Sequence, residues 1–324
     1  MGRSRALAIV TPVYNDWESL HQLVLEIDGI AAALSPYQIE MFAINDGSTE
    51  QLPRMLPSGN EVKHVRRVEL VNLVCNIGHQ RAIAIGLSTV AERGRYDFVL
   101  VMDADGEDDP SYIEQLLRCG EETEGHVVVA RRVKRSEGTG FRVFYFLYRC
   151  FFRAVTGRSI SFGNFCLIPS SLLQRIVFMP DVWNHLAASI TRARLPITSV
   201  STVRGARYAG ASTMNLVSLI IHGLSAISVY ADFAFVRILL VGMGMGLVTV
   251  LGMAVAAGIR FLTDLAIPGW ATNVVGIMLI IMIQAVILSL VAVFLLLSGR
   301  SNAAIVPALV TRDYIQSTDV LIQQ

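Results

Sequence analysis

Val99-Leu100-Val101-Met102-Asp103-Ala104-Asp105-Gly106-Glu107-Asp108-Asp109-Pro110 runs from wholly apolar to strongly acidic within one short stretch. The apolar half reads as a strand buried on both faces, the mark of a parallel sheet covered by helices. Side chains alternate along a strand, so continuing it puts Asp103 and Asp105 on one face at its carboxyl end. In open α/β sheets ligands sit in the crevice outside those ends. Carboxylates crowded there repel one another unless a cation lies between them, and oxygen-only ligands suit Mg²⁺ or Mn²⁺. A solvated acidic loop feeding the helix after Pro110 is the alternative reading of the same residues.

Working outward, Ala6–Val10 reads as a strand ended by Thr11-Pro12, because proline cannot continue the ladder. Val13-Tyr14-Asn15-Asp16 makes the turn into a helix with Leu20, Leu23, Val24, Ile27 and Ile30 on one face. Ile39–Ile44 is a second strand closed by Asn45-Asp46-Gly47-Ser48, residues that tolerate left-handed geometry. Val68–Val74 is a third, followed by Asn76-Ile77-Gly78-His79-Gln80 and a helix through Leu87. Val99–Met102 is the fourth and Val127–Ala130 a fifth. Strands alternating with helices, with polar turns at the strand ends, predict a doubly wound, mostly parallel sheet with a nucleotide-sized crevice. Neither G-x-G-x-x-G nor G-x-x-x-x-G-K-[ST] occurs, so no dinucleotide fold or P-loop is indicated.

The composition is not that of an ordinary soluble domain. Of 324 residues, 53% are hydrophobic and 16% charged, and the mean hydropathy is +0.53. Beyond Arg237 the charged residues are Arg260, Asp264, Arg300, Arg312, Asp313 and Asp319 alone. Ile238–Ile259 and Val274–Ser298 are each long and apolar enough to span a bilayer. Arg237 and Arg300 flank the outer ends of this hairpin, so the positive-inside rule places both ends in the cytoplasm. Gly242, Gly244 and Gly246 permit close helix approach, within the hairpin or between protomers of a homo-oligomer. Asn215, Ser218, His222, Ser225 and Asp232 form one stripe of an otherwise apolar segment, which predicts a helix over 213–232 lying in the membrane interface. The four cysteines show no ligand or redox spacing and read as reduced thiols. The amino terminus carries no signal-peptide pattern.

Pro12-Val13-Tyr14-Asn15-Asp16, Asn45-Asp46-Gly47-Ser48, Asn76-Ile77-Gly78 and Asp103-Ala104-Asp105, in this order, resemble the family 2 glycosyltransferases of the GT-A fold. The resemblance is strongest to their polyprenyl-phosphate branch and covers essentially the whole chain. It implies a Rossmann-like catalytic domain over 1–212, an interfacial helix over 213–233, a transmembrane hairpin over 234–300 and a cytoplasmic tail over 301–324. It implies an enzyme at the inner (plasma) membrane, with both termini cytoplasmic. That enzyme would move a sugar from a UDP- or GDP-linked donor to a polyprenyl phosphate, with inversion. By resemblance, Pro12, Tyr14, Asp16, Asp46, Asn76, Gly78 and Asp103 hold the nucleotide sugar. Asp105 and Glu107 hold Mg²⁺ or Mn²⁺, and Asp103, Asp105, Arg204 and Arg207 serve catalysis.

Arg204-Gly205-Ala206-Arg207 followed by Gly210-Ala211-Ser212 resembles the branch's segment that closes over the diphosphate and the lipid phosphate. Arg131, Arg135, Arg204, Arg207 and Ser212 are accordingly the expected acceptor-phosphate contacts. Departures from the pattern are Asn45 for the first of two aspartates, Glu107 for glutamine, Gly163-Asn164 for Asp-x-Gly, and Thr213 for a basic residue. The aromatic and basic residues of 141–153 read as a membrane-surface helix, not a nucleic-acid reader, in a chain that carries two membrane spans. A processive polysaccharide synthase and a non-catalytic nucleotide-sugar-binding membrane protein are the other classes this sequence admits.

Overall fold

The computed structural model describes residues 5–53, 61–133, 149–159, 161–209, 216–263, 267, 269–301 and 304–324. They fall into two compact units, one of residues 1–142, 160–229 and 304–324, the other of 143–159 and 230–303.

The first unit is a single eight-stranded sheet in the order β7-β5-β6-β4-β1-β2-β3-β8. Its strands are β1 (Arg5–Val13), β2 (Tyr37–Asn45), β3 (Val65–Leu73), β4 (Phe98–Val101), β5 (Val127–Arg132), β6 (Cys166–Pro169), β7 (Ile197–Thr202) and β8 (Ile315–Gln323). β1 pairs parallel with both β2 and β4, β2 with β3, and β5 with β7. β6 runs antiparallel between β4 and β5, and β8 antiparallel along β3. The crossovers are α1 (Trp17–Ala31), α2 (His79–Arg93) and α3 (Ile113–Glu122), with the short helices α4 (Ser170–Val177) and α5 (Leu186–Arg192) later in the chain.

Alternation along β1 sends Leu7 and Ile9 into the core on the α1 and α3 face, and Ala8 and Val10 into the core on the α2 and α4 face. With both faces covered, these side chains are wholly buried, and each large aliphatic contributes about 1.5–3 kcal/mol. The doubly wound sheet expected from the sequence is what forms.

Three elements differ from their sequence expectation. β1 continues through Pro12 to Val13. The backbone of Val10 faces β4, where its carbonyl accepts from Met102, so Pro12 two residues on faces the same side. There β4 has already ended, and the N–H that proline lacks is not needed. The helix expected over 213–232 is broken: α6 is Leu216–Ser228, and Ala231, with Asp232, opens the following helix. Val229 and Tyr230, both buried, make the junction. Residues 301–324 are more than a tail, because α9 (Pro307–Tyr314) and β8 return to the sheet and cover the β3 edge.

The second unit contains α7 (Ala231–Leu262) and α8 (Trp270–Ser301), each of 32 residues, about 48 Å at 1.5 Å per residue. Both are long and apolar enough to cross a membrane, and only 11% of each apolar window is buried. Gly242 of α7 lies against Ser289 of α8, leaving no room for a Cβ, and Gly252 lies against Met278. Gly244 and Gly246 meet nothing within 4 Å, so of the three glycines expected to permit close approach, Gly242 alone does so inside the hairpin. The Arg237 guanidinium donates to the carbonyls of Arg153 and Ala154, closing the helical residues 149–156.

Candidate active site

Four loops at the carboxyl ends of β1, β2, β3 and β4 build the site, and each is tied to the next by side chains. Asn15, in the left-handed region at φ 51°, accepts from the N–H groups of Thr49 (2.8 Å) and Glu50 (3.0 Å), while its own N–H donates to Ser48 Oγ (3.0 Å). Gly47, at φ 64°, packs backbone to backbone on Cys75 and Asn76, where any Cβ would collide. Asp46 is 3% exposed and its two carboxylate oxygens accept from Ile77 N (2.8 Å) and Gly78 N (3.0 Å). Burial raises its pKa and the two amide donors hold it down in part. Asp46 thus pins the second loop to the third.

The acidic loop is not an extension of β4, whose pairing ends at Val101. Strand alternation therefore does not order Asp103 and Asp105; the loop does. Asp108, 4% exposed, accepts from the Asp103 N–H (3.1 Å) and from Arg132 Nη2 (3.1 Å). Burial, then the neighbouring charge of Asp103, pushes its pKa up to about 7. Asp105 accepts from the Glu107 N–H (3.0 Å), and burial with the charge of Asp103 raises its pKa.

Residues 203–208 form a strap over this loop. Gly205 N donates to Glu107 O and Tyr208 N to Asp105 O, each at 3.0 Å. Gly106, at φ 85°, and Gly205 allow that approach: a Cβ on Gly106 would lie 2.7 Å from the Ala206 carbonyl. The strap is held elsewhere by Tyr208 Oη to Glu26 Oε2 (2.6 Å) and by Val203 N to Tyr112 Oη (3.2 Å). Arg207 pairs with Asp105 and Arg204 with Glu107. Arg207 Nε and Arg132 Nη1 also approach Glu107, at 3.7 and 3.6 Å. A cavity of about 640 Å³ opens between α1 and the strap, lined by Glu18, His21, Glu26, Asp109, Arg207 and Tyr208, within the range of small-ligand sites.

The expected site residues thus converge in part. Asp103, Asp105, Glu107, Arg204 and Arg207 meet in the acidic loop and strap. Asp46 and Gly78 belong to the interlocked loops beside it, as do the exposed Tyr14 and Asn76 and the half-buried Asp16, while Pro12 lies near the end of β1. Arg131 is exposed on β5, and alternation turns it away from the face where its neighbour Arg132 meets Asp108. Arg135 and Ser212 lie outside the described residues.

Arg132, Asp108 and His79 were not singled out from the sequence. His79 Nε2 sits 3.2 Å from Asp103 Oδ1 and 2.9 Å from Asn164 Nδ2, and Asn164 Oδ1 accepts from Gln80 Nε2 (3.0 Å). Partial desolvation lowers the pKa of the half-exposed His79, but the charges of Asp103, Asp46 and Asp108 outweigh it and the net shift is upward. The signal was present in the N-I-G-H-Q run, since the residue after a left-handed glycine opens α2 beside the crevice.

Among the described residues no three His, Cys, Asp or Glu side chains converge as a complete metal cage. Asp105 and Glu107, the expected ligands, are two carboxylates of one loop, each paired with an arginine of the strap. That donor set fits Mg²⁺ or Mn²⁺, which are bound through one or two carboxylates and complete their shell with water and substrate phosphate.

The family model for glycosyl transferase family 2 matches residues 8–175, just over half of the chain. An uncharacterised glycosyltransferase of Bacillus subtilis is 24% identical over 299 residues, covering 87% of this chain and 88% of its own length. The undecaprenyl-phosphate 4-deoxy-4-formamido-L-arabinose transferase of Klebsiella pneumoniae is 32% identical over 138 residues, 43% of this chain and 40% of that protein. Among solved structures, the glucosyl-3-phosphoglycerate synthase of Mycobacterium tuberculosis superposes with a TM-score of 0.50 at 15% identity, over 71% of this chain and 80% of that one. That likeness concerns the fold alone. Most of β1, the strands β2 to β6, the interlocked loops and the acidic loop lie within the matched region, and the chain belongs to glycosyl transferase family 2.

Proposed function

We propose that this glycosyltransferase moves a sugar from a nucleotide sugar to a polyprenyl phosphate at the cytoplasmic face of a membrane. The observation that carries the reading is the strap locked on the acidic loop, with Arg204 and Arg207 set against Glu107 and Asp105. Carboxylates and guanidiniums alternating in one place suit a substrate that brings a diphosphate and a cation together. Asp105 and Glu107 would hold the cation, which when bound supplies charge to the departing diphosphate. Arg204, Arg207 and Arg132 are the fixed positive groups that position phosphate oxygens. The acceptor phosphate has a second pKa near ~6 and is already largely anionic at neutral pH, so attack needs no strong general base. In-line attack at the anomeric carbon inverts its configuration.

The lipid acceptor is supported by two features besides the similarity to the Klebsiella transferase. The helices α7 and α8 are long and apolar enough to cross a membrane. Residues 216–229 before them and 304–324 after them belong to the same compact unit as the sheet. A hairpin that crosses twice therefore returns the chain to the side it left.

Isothermal titration of the full chain with a panel of UDP- and GDP-sugars, with Mg²⁺ or Mn²⁺, tests the donor site. At least one donor should bind in a metal-dependent way, and Asp105→Ala should abolish that dependence. Unchanged metal-dependent affinity in Asp105→Ala would remove the site from this account.

A further inference from the structure

The turn Asn45–Ser48 is wired to the last strand of the chain. Asn45 Nδ2 donates to Asn72 Oδ1 at 2.8 Å. Asn72 Nδ2 donates in turn to Asp319 Oδ2 at 2.7 Å and to Ser317 Oγ at 2.9 Å, both on β8. At the other end, Asn45 Oδ1 accepts from the Ser48 N–H at 3.0 Å, and Ser48 Oγ accepts from the Asn15 N–H at 3.0 Å. The series crosses from β8 over β3 to the loops after β2 and β1.

Its polarity follows from one group. An ionised carboxylate only accepts, so Asp319 obliges Asn72 to turn its NH₂ toward β8 and its oxygen toward β2. The side chain at the start of the turn must then supply a donor to that oxygen and an acceptor to Ser48. Asparagine does both; aspartate would set two acceptors against each other. This accounts for Asn45 where the family pattern has aspartate.

We infer that Asp319 is a positioning residue for the nucleotide-binding turn, acting through Asn72 on Asn45, so that β8, contributed after the hairpin, helps to shape the donor site. The inference rests on the reading of Asn45–Ser48 as part of that site.

The test is a double-mutant cycle on the full chain in detergent, read as the Kd of UDP or GDP with Mn²⁺, whichever the unsubstituted protein binds more tightly. Asn45→Asp should weaken binding about tenfold, the effect of an unpaired acceptor in a half-buried turn. Asp319→Asn alone should cost about twofold or less, because its amide oxygen can still accept from Asn72. Combining the two reverses the side-chain bonds through Asn72 and leaves the donation from the Ser48 N–H into the turn as it was. The amide introduced on β8 then donates to Asn72 Oδ1, and Asn72 Nδ2 donates to the carboxylate introduced in the turn, while the Ser317 hydroxyl can serve either way. The double variant should therefore bind within about threefold of the unsubstituted protein. A purely structural role would lower the melting temperature without this polarity-specific recovery of affinity. An unaltered Kd in Asn45→Asp, or a double variant no better than Asn45→Asp, overturns the inference. Absence of binding by the unsubstituted protein overturns the donor-site reading itself.

Discussion

Asp28 illustrates how a single side chain supports this fold from beneath. It is 7% exposed on α1, and its carboxylate accepts from the N–H groups of Lys63 (3.0 Å), His64 (2.6 Å) and Val65 (2.8 Å), fixing the entry to β3. Burial raises its pKa, the three donors lower it, and the net shift is downward. A depressed folded value means that the stabilisation is full above the unfolded pKa of about 4 and is lost as pH falls through the folded value. Asp28→Asn should lower stability by about 1–3 kcal/mol at neutral pH, and by less in acid, measured by denaturant unfolding. At this scale the sequence was legible for residue types and less so for partners. Asp105 and Glu107 could be read from an acidic run at a strand end, but their contacts Arg207 and Arg204 lie far along the chain. Arg131 and Arg132 look alike in a sequence; only the pleat of β5 separates them and puts Arg132 beside Asp108.

The strap of residues 203–208 is the element on which the proposed chemistry depends. Gly205 approaches the Gly106 carbonyl so closely that a side chain there must lift the strap. Gly205→Ala should cut sugar transfer about ten- to a hundred-fold, the usual effect of displacing positioning groups by about an ångström. Its melting temperature should stay near that of the unsubstituted protein. Arg204→Gln and Arg207→Gln remove charge while keeping length, and each should reduce transfer to lipid by a similar factor. Donor titration should be disturbed less by either than by Asp105→Ala. Normal lipid transfer in both variants would place the acceptor site elsewhere. Elements with strong apolar patterns, from β1 to β5 and the two long helices, were legible in the sequence. β8 was not: most of its side chains are exposed, and an edge strand paired on one side carries almost no hydrophobic periodicity. The break between α6 and α7 was hidden because both flanking segments are apolar on several faces.

For the whole molecule, the return of residues 304–324 to the sheet is the feature that organises the topology. If α7 and α8 cross a membrane, the loop after Leu262 is the part of the hairpin that reaches the far side. A cysteine engineered at Asn273 should react with a membrane-impermeant reagent from outside, whereas Cys75, exposed on the catalytic unit, should not. Labelling of Cys75 in sealed cells would reverse the orientation. The most direct measurement of the central claim is transfer of labelled sugar from its nucleotide into an organic-extractable lipid, by the full chain in detergent with Mn²⁺, with and without added polyprenyl phosphate. Label should enter the lipid phase only when polyprenyl phosphate is present, and Asp105→Ala should abolish it. Label that stays with water or a soluble acceptor regardless of the lipid would contradict a polyprenyl-phosphate glycosyltransferase.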